Sequence, residues 1–140
     1  MKGQIDHVGI VVAGLEPAAE FARRVLGLEL KTQPPVVPGG NPIAFYGWGE
    51  GARVELIELA DPEARAARLG DDVARIDHVA VEVDDVEAAA AELRAQGVDF
   101  TTPEPVAVRD IRTYWTRKET SGGVMWQIFS RLPLPARGEE

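Results

Sequence analysis

Apolar and polar positions alternate in two nearly identical stretches, and both predict buried strands. The first is Ile5-Asp6-His7-Val8-Gly9-Ile10-Val11-Val12. The second is Ile76-Asp77-His78-Val79-Ala80-Val81-Glu82-Val83. Side chains on a strand point alternately to its two faces. Ile5, His7, Gly9 and Val11 therefore share one face, and Val8, Ile10 and Val12 share the other, which suits packing against a helix.

After each strand the pattern changes to a helical period. Leu15, Ala18, Ala19, Ala22, Val25 and Leu26 mark an apolar stripe over 15–26, and Gly27 stops it. A second helix is expected over about 85–96, with Asp84 and Glu87 spaced as a capping box and Gly97 past its end. Short strands are expected at 28–32, 43–48 and 53–59 in the first half. In the second half they are expected at 98–101, within 106–117 and at 124–130. Each half thus reads β-α-β-β-β. The proline-rich run 33–42 is a loop. Residues 60–75 form a charged connector with a short helix over 62–69. The halves are taken as modules 4–59 and 76–130, joined by linker 60–75, with 131–140 as a frayed tail. Residues 5–26 align with 76–97 without gaps, and nine of the twenty-two pairs are identical, Ile-Asp-His-Val among them.

Composition narrows the function. The chain has 140 residues, no cysteine and a formal charge of −8. That charge disfavours a nucleic-acid partner, which needs a cationic face. No apolar run approaches the roughly 20 residues that cross a bilayer. The start runs straight into a strand, which leaves no room for a signal peptide. These features fit a cytoplasmic protein that binds neither nucleic acid nor membrane.

The chemistry centres on the only two histidines, His7 and His78, at equivalent positions of the repeat. A lone strand histidine is more often a core residue than a ligand. Two at matched positions favour a shared metal. Glu55 shares a face with Ile57 and Leu59, and Val54, Leu56 and Glu58 take the opposite one.

The chain resembles the vicinal oxygen chelate superfamily, which includes glyoxalase I, methylmalonyl-CoA epimerase, extradiol dioxygenases and bleomycin resistance proteins. The resemblance covers about 5–130. It rests on the strand-one histidines, the Leu-Glu-x-Ala and Leu-Gly of helix one, the Val-Asp-Asp-Val-Glu-Ala before helix two, and the Val-Glu-Leu strand. It implies an α+β fold in which 1–140 is one glyoxalase-like domain. Two tandem β-α-β-β-β modules form a cupped mixed sheet with helices outside, around one divalent metal (Co, Ni, Zn, Mn or Fe).

Carried over by position, the metal ligands are His7, Glu55, His78 and Gln127. Many metal-using relatives have a carboxylate where Gln127 stands. Glu55, and more weakly Glu50 on the neighbouring turn, are the candidate general bases. The implied activity is that of a lyase or isomerase of the glyoxalase or acyl-CoA epimerase type, stabilising an enolate of an anionic thioester or thiohemiacetal substrate. The alternatives are an Fe(II) extradiol dioxygenase and a metal-free binding protein of the bleomycin-resistance kind. A homodimer is implied by resemblance.

Overall fold

A computed structural model of the chain describes residues 1–132. The architecture is α+β, with the order β-α-β-β-β twice. The first set is β1 (Gly3–Val12), α1 (Leu15–Glu20), β2 (Glu29–Thr32), β3 (Ile43–Gly47) and β4 (Arg53–Ile57). The connector carries α2 (Pro62–Leu69). The second set is β5 (Ala74–Val83), α3 (Val86–Ala95), β6 (Val106–Val108), β7 (Ile111–Trp115) and β8 (Trp126–Arg131). Of the expected tail 131–140, Arg131 closes β8, and the part from 133 on lies outside the described residues.

Contacts divide the chain into two compact units, residues 6–79 and residues 1–5 with the chain from Ala80 on. In the unit of 6–79 the strand order is β2-β3-β4-β1-β5. β1 runs parallel to β4, setting His7 opposite Arg53 and Gly9 opposite Glu55. β3 is antiparallel to β4, with Phe45 opposite Glu55.

One face of this sheet packs on α1. Val12, Ala22, Ala44, Tyr46 and Leu56 form that core, with Leu15, Ala18 and Ala19 against it. Glu58 falls on the same side of β4. Its carboxylate accepts a hydrogen bond from the Leu15 N–H at 3.2 Å, covering a helix start that Gly14 leaves uncapped. The opposite face carries His7, Phe45 and Glu55, and at its end Val11 and Ile57 pack on Leu69 of α2.

The expected helical stripe fails beyond Ala22. Phe21–Val25 is a π-helical turn, closed by a bond from the Leu26 N–H to the Phe21 carbonyl. A wider turn inserts residues into the 3.6 period and shifts its phase. Val25 and Leu26 are accordingly exposed.

In the other unit the strand order is β5-β8-β7-β6. Val86, Ala89 and Ala90 of α3 pack on Val83, Phe100, Tyr114 and Ile128. Two expectations are corrected here. The cap of α3 is Asp85, whose carboxylate accepts from the N–H groups of Glu87 and Ala88, so Asp84 is not the capping residue. The second strand is Val106–Val108 and not 98–101, where only an isolated bridge from Phe100 to Thr116 forms. Phe100 is drawn into the core beneath α3, and Pro103 and Pro105 cannot donate to a ladder. The run 106–117 resolves into a hairpin turning at Arg109, whose φ is 52°.

Candidate metal centre

The site lies within the unit of residues 6–79. β1 supplies His7, the neighbouring β4 supplies Glu55, and the first half of β5 supplies His78. Their exposures are 6%, 8% and 2%, so all three donors are withdrawn from bulk water. The Nε2 atoms of His7 and His78 each stand 3.3 Å from Glu55 Oε1. The two Nε2 atoms are 3.3 Å apart. The three donor atoms form a triangle of equal edges. It is the one cluster of three or more such groups found among the described residues.

This convergence needs room on β1, and Gly9 provides it. A Cβ at Gly9 would lie 2.1 Å from Cε1 of His78 and 2.5 Å from its Nδ1. The matching position of the second repeat is Ala80. Phe45 closes another side, edge-on to His7 with ring centroids 5.2 Å apart.

Both rings are tied at the far nitrogen. His7 Nδ1 is 2.7 Å from Asp6 Oδ2, and His78 Nδ1 is 2.9 Å from Asp77 Oδ2. Each aspartate is held in turn by an arginine. Arg53 Nη2 donates to Asp6 at 2.9 Å, and Arg68 of α2 donates to Asp77. Arg53 also lies over the Phe45 ring, 4.8 Å from its centroid.

These contacts set the proton affinities. Burial by itself would raise the pKa of Glu55, but hydrogen bonds from both histidines and their charges outweigh it and hold the group at about 2. Burial would lower both imidazoles. The bonds to Asp6 and Glu55 raise His7 instead, and those to Asp77 and Glu55 raise His78. Burial likewise opposes the ionised aspartates. Asp6 is nonetheless held below the usual carboxylate range by His7 and Arg53, and Asp77 by His78 and Arg68.

The donor set suits a divalent ion. Each ring faces a carboxylate at both nitrogens, but the Nδ1 contacts, 2.7 Å and 2.9 Å, are shorter than the 3.3 Å Nε2 contacts, so a neutral ring keeps its N–H on Nδ1 and its lone pair on Nε2. When both rings are neutral in this way, two lone pairs and a carboxylate oxygen converge with no proton between them. That arrangement is unfavourable unless a cation joins it. Donors about 2.1 Å from an ion and about 100° apart stand about 3.3 Å from one another, so the triangle fits a first-row ion.

The other two expected site residues are carried by other elements. Glu50 sits on the exposed turn between β3 and β4, outside the cluster. Gln127 belongs to the other unit, where it is buried on β8 opposite Trp115. Among residues outside the expected set, Glu82 is paired with Arg131 at 3.3 Å, and Arg112 with Glu87. Trp48 is exposed and donates its indole N–H to the Gly27 carbonyl, whereas Tyr114 is a core residue.

Asp6, Asp77, Arg53, Arg68 and Gly9 were not among the expected site residues. The repeated Ile-Asp-His-Val tetrad carries the signal for the two aspartates, since one precedes each histidine. Nothing in the sequence announces the arginines, which reach the aspartates from β4 and α2.

The chain is similar to several known proteins. A family profile described as the glyoxalase/bleomycin resistance protein/dioxygenase superfamily matches residues 6–115. Human mitochondrial methylmalonyl-CoA epimerase is 27% identical over 132 residues, covering 90% of this chain and 73% of that protein. Lactoylglutathione lyase of Neisseria meningitidis is 30% identical over 92 residues, 65% of this chain and 64% of the relative. The crystal structure of methylmalonyl-CoA epimerase from Mycobacterium tuberculosis matches with a TM-score of 0.80 at 27% identity. It covers 93% of this chain and 89% of that one. With the profile spanning most of the chain and the repeat running through it, the chain belongs to the glyoxalase/bleomycin resistance protein/dioxygenase superfamily.

Proposed function

We propose that the protein is a divalent-metal-dependent lyase or isomerase that moves a proton next to a substrate carbonyl. One observation carries the reading: two imidazole Nε2 atoms and a carboxylate oxygen meet at 3.3 Å separations, with both Nδ1 atoms already engaged. An ion held by His7, Glu55 and His78 would supply a net positive centre able to polarise a carbonyl and stabilise an enolate oxygen. Phe45 and the buried faces of β1 and β4 shield that centre from water. With a pKa held at about 2, Glu55 is a weak base where it stands, so it acts first as the anionic ligand. It becomes a proton acceptor only on leaving that position. Glu50 is the second candidate base. The family resemblance adds Gln127 as a fourth donor, and the metal affinity of Gln127→Ala tests that separately.

The relatives support a substrate class. Epimerases acting on methylmalonyl-CoA and a lyase of lactoylglutathione both handle a carbonyl beside sulfur. An anionic acyl-CoA thioester or a glutathione thiohemiacetal is therefore the proposed substrate of this chain.

A second reading has its own support. Two histidines and one carboxylate on one face are also the donor set of non-haem Fe(II) oxygenases. Two measurements separate the readings. The first is metal content of the parent and of His78→Ala, purified alike without added metal; near-stoichiometric divalent metal in the parent alone is expected. The second compares solvent deuterium uptake into methylmalonyl-CoA with oxygen uptake on catechols. Deuterium uptake supports the isomerase reading, and oxygen uptake replaces it with the dioxygenase. No metal in either protein, even after soaking with Co, Ni, Zn and Mn, removes both and leaves a metal-free binding protein.

A further inference from the structure

We propose that Asp77, gripped by Arg68 of the connector helix α2, is a positioning residue that holds the His78 ring in its Nδ1–H tautomer, and that Asp6 with Arg53 does the same for His7. The inference deepens the proposed metal-site reading and rests on it only for the affinity measurement below.

Four observations carry it. Each histidine follows an aspartate directly in the sequence, and each aspartate reaches the Nδ1 of that ring, at 2.7 Å and 2.9 Å. Both aspartates are partly buried, with side-chain exposures of 14% and 12%, so each holds a defined position beside its ring. Each accepts from a guanidinium brought in by a different element, Arg53 from β4 and Arg68 from α2. The Nε2 edges of the two rings then point at the same carboxylate oxygen. A neutral imidazole owns one N–H, and the partner of one nitrogen decides which nitrogen keeps its lone pair. With the N–H drawn to the aspartate, Nε2 is the donor atom. The arginine fixes the carboxylate against rotation, so the orientation of the ring is set two contacts away from the donor.

The connector therefore has a role beyond joining the two repeats. Leu69 anchors α2 on Val11 and Ile57, and Asp61 caps its start, so that Arg68 is presented at Asp77. The His7 clamp is built instead inside the sheet, because β1 lies beside β4 with His7 opposite Arg53. The two halves reach one ring geometry by different routes, and the Arg68 route can be cut at a half-exposed side chain without touching the sheet.

The test uses the full chain labelled with 15N-histidine. Long-range proton–nitrogen correlation spectra of metal-free protein at alkaline pH report the tautomer of each ring. The parent is expected to show both rings as Nδ1–H. In Asp77→Asn, His78 loses that preference while His7 keeps it, which also shows that the fold is retained. Co2+ titration, followed by its visible bands, is expected to show affinity reduced by about 10–100-fold. Arg68→Gln is expected to move both readouts the same way by a smaller step, and Arg68→Lys to recover part of the loss. Should His78 remain Nδ1–H in Asp77→Asn and in Arg68→Gln, with Co2+ affinity within about twofold of the parent, the clamp is overturned. If the parent itself takes up no Co2+, the metal reading falls, and the ring tautomers alone decide the clamp.

Discussion

A missing methyl group on Gly9 governs how closely the His78 ring can approach β1. The Cβ that any other residue would place there lies 2.1 Å from Cε1 of the imidazole, far inside van der Waals contact. The backbone of β1 is held between two neighbouring strands, so the His78 ring is the part that must give way. Gly9→Ala is therefore expected to keep the fold and to push the His78 ring off the shared centre. A loss of Co2+ affinity of about tenfold or more is expected, since a site depends on its donors being held within about 0.5 Å. Circular dichroism and Co2+ titration of the same sample check both halves of that statement. Unchanged affinity would mean that the His78 ring has space elsewhere. At this scale the sequence was informative about donor types and nearly silent about their supports. His7, His78 and Glu55 stand out by type and strand position. Gly9 looks like any strand glycine until the ring opposite it is known.

Elements follow local rules until a neighbour overrides them. α3 starts where its cap allows, and the Asp85 carboxylate satisfies two N–H groups there. Asp85→Ala is expected to cost about 1 kcal/mol in urea unfolding, and the exposed Asp84→Ala close to nothing. The reverse order would place the helix start one residue earlier. Leu56 joins α1 to β4 at 5% exposure, and Leu56→Ala is expected to cost about 2–5 kcal/mol in the same assay. Strand periodicity located β1, β4 and β5 because both of their faces have assigned partners. It misplaced the strand after α3 because Phe100 is apolar enough to read as strand and is used instead as a core plug. The π turn after α1 left no sequence signal, since Phe-Ala-Arg-Arg-Val holds no glycine or proline to break either register.

The molecule as a whole should show the charge of the site in its pH dependence. Glu55 has a folded pKa of about 2 against a usual 4.5, and Asp6 and Asp77 are also lowered from 3.8. Their stabilisation is present above those ordinary values and is lost as the pH falls through the lowered ones. His7 and His78 are raised from 6.5. Their stabilisation is complete below 6.5 and is lost as the pH rises through the raised values. Metal-free protein is therefore expected to be most stable between 4.5 and 6.5 and to lose stability on the alkaline side. Thermal unfolding in chelator across that range and beyond checks it, and a steady gain in stability at alkaline pH would contradict it. A divalent ion at the proposed site would take the place of the protons on Nε2, so its affinity should rise with pH as the rings deprotonate. At a free concentration of 100 times Kd it should add about 2.7 kcal/mol. Among the described residues no helix is long and apolar enough to cross a membrane.

The sequence by itself determined the repeat, the α+β order of elements and the chemical types at the centre. Each of these is a local pattern written twice: a strand period, a helical period, and Ile-Asp-His-Val at matched positions. Only the tertiary structure decided that His7, Glu55 and His78 meet at 3.3 Å, that Gly9 makes the space, and that arginines from β4 and from the connector hold the aspartates behind the rings. Those contacts join residues distant along the chain. Their existence depends on which strands become neighbours, and no local pattern states that.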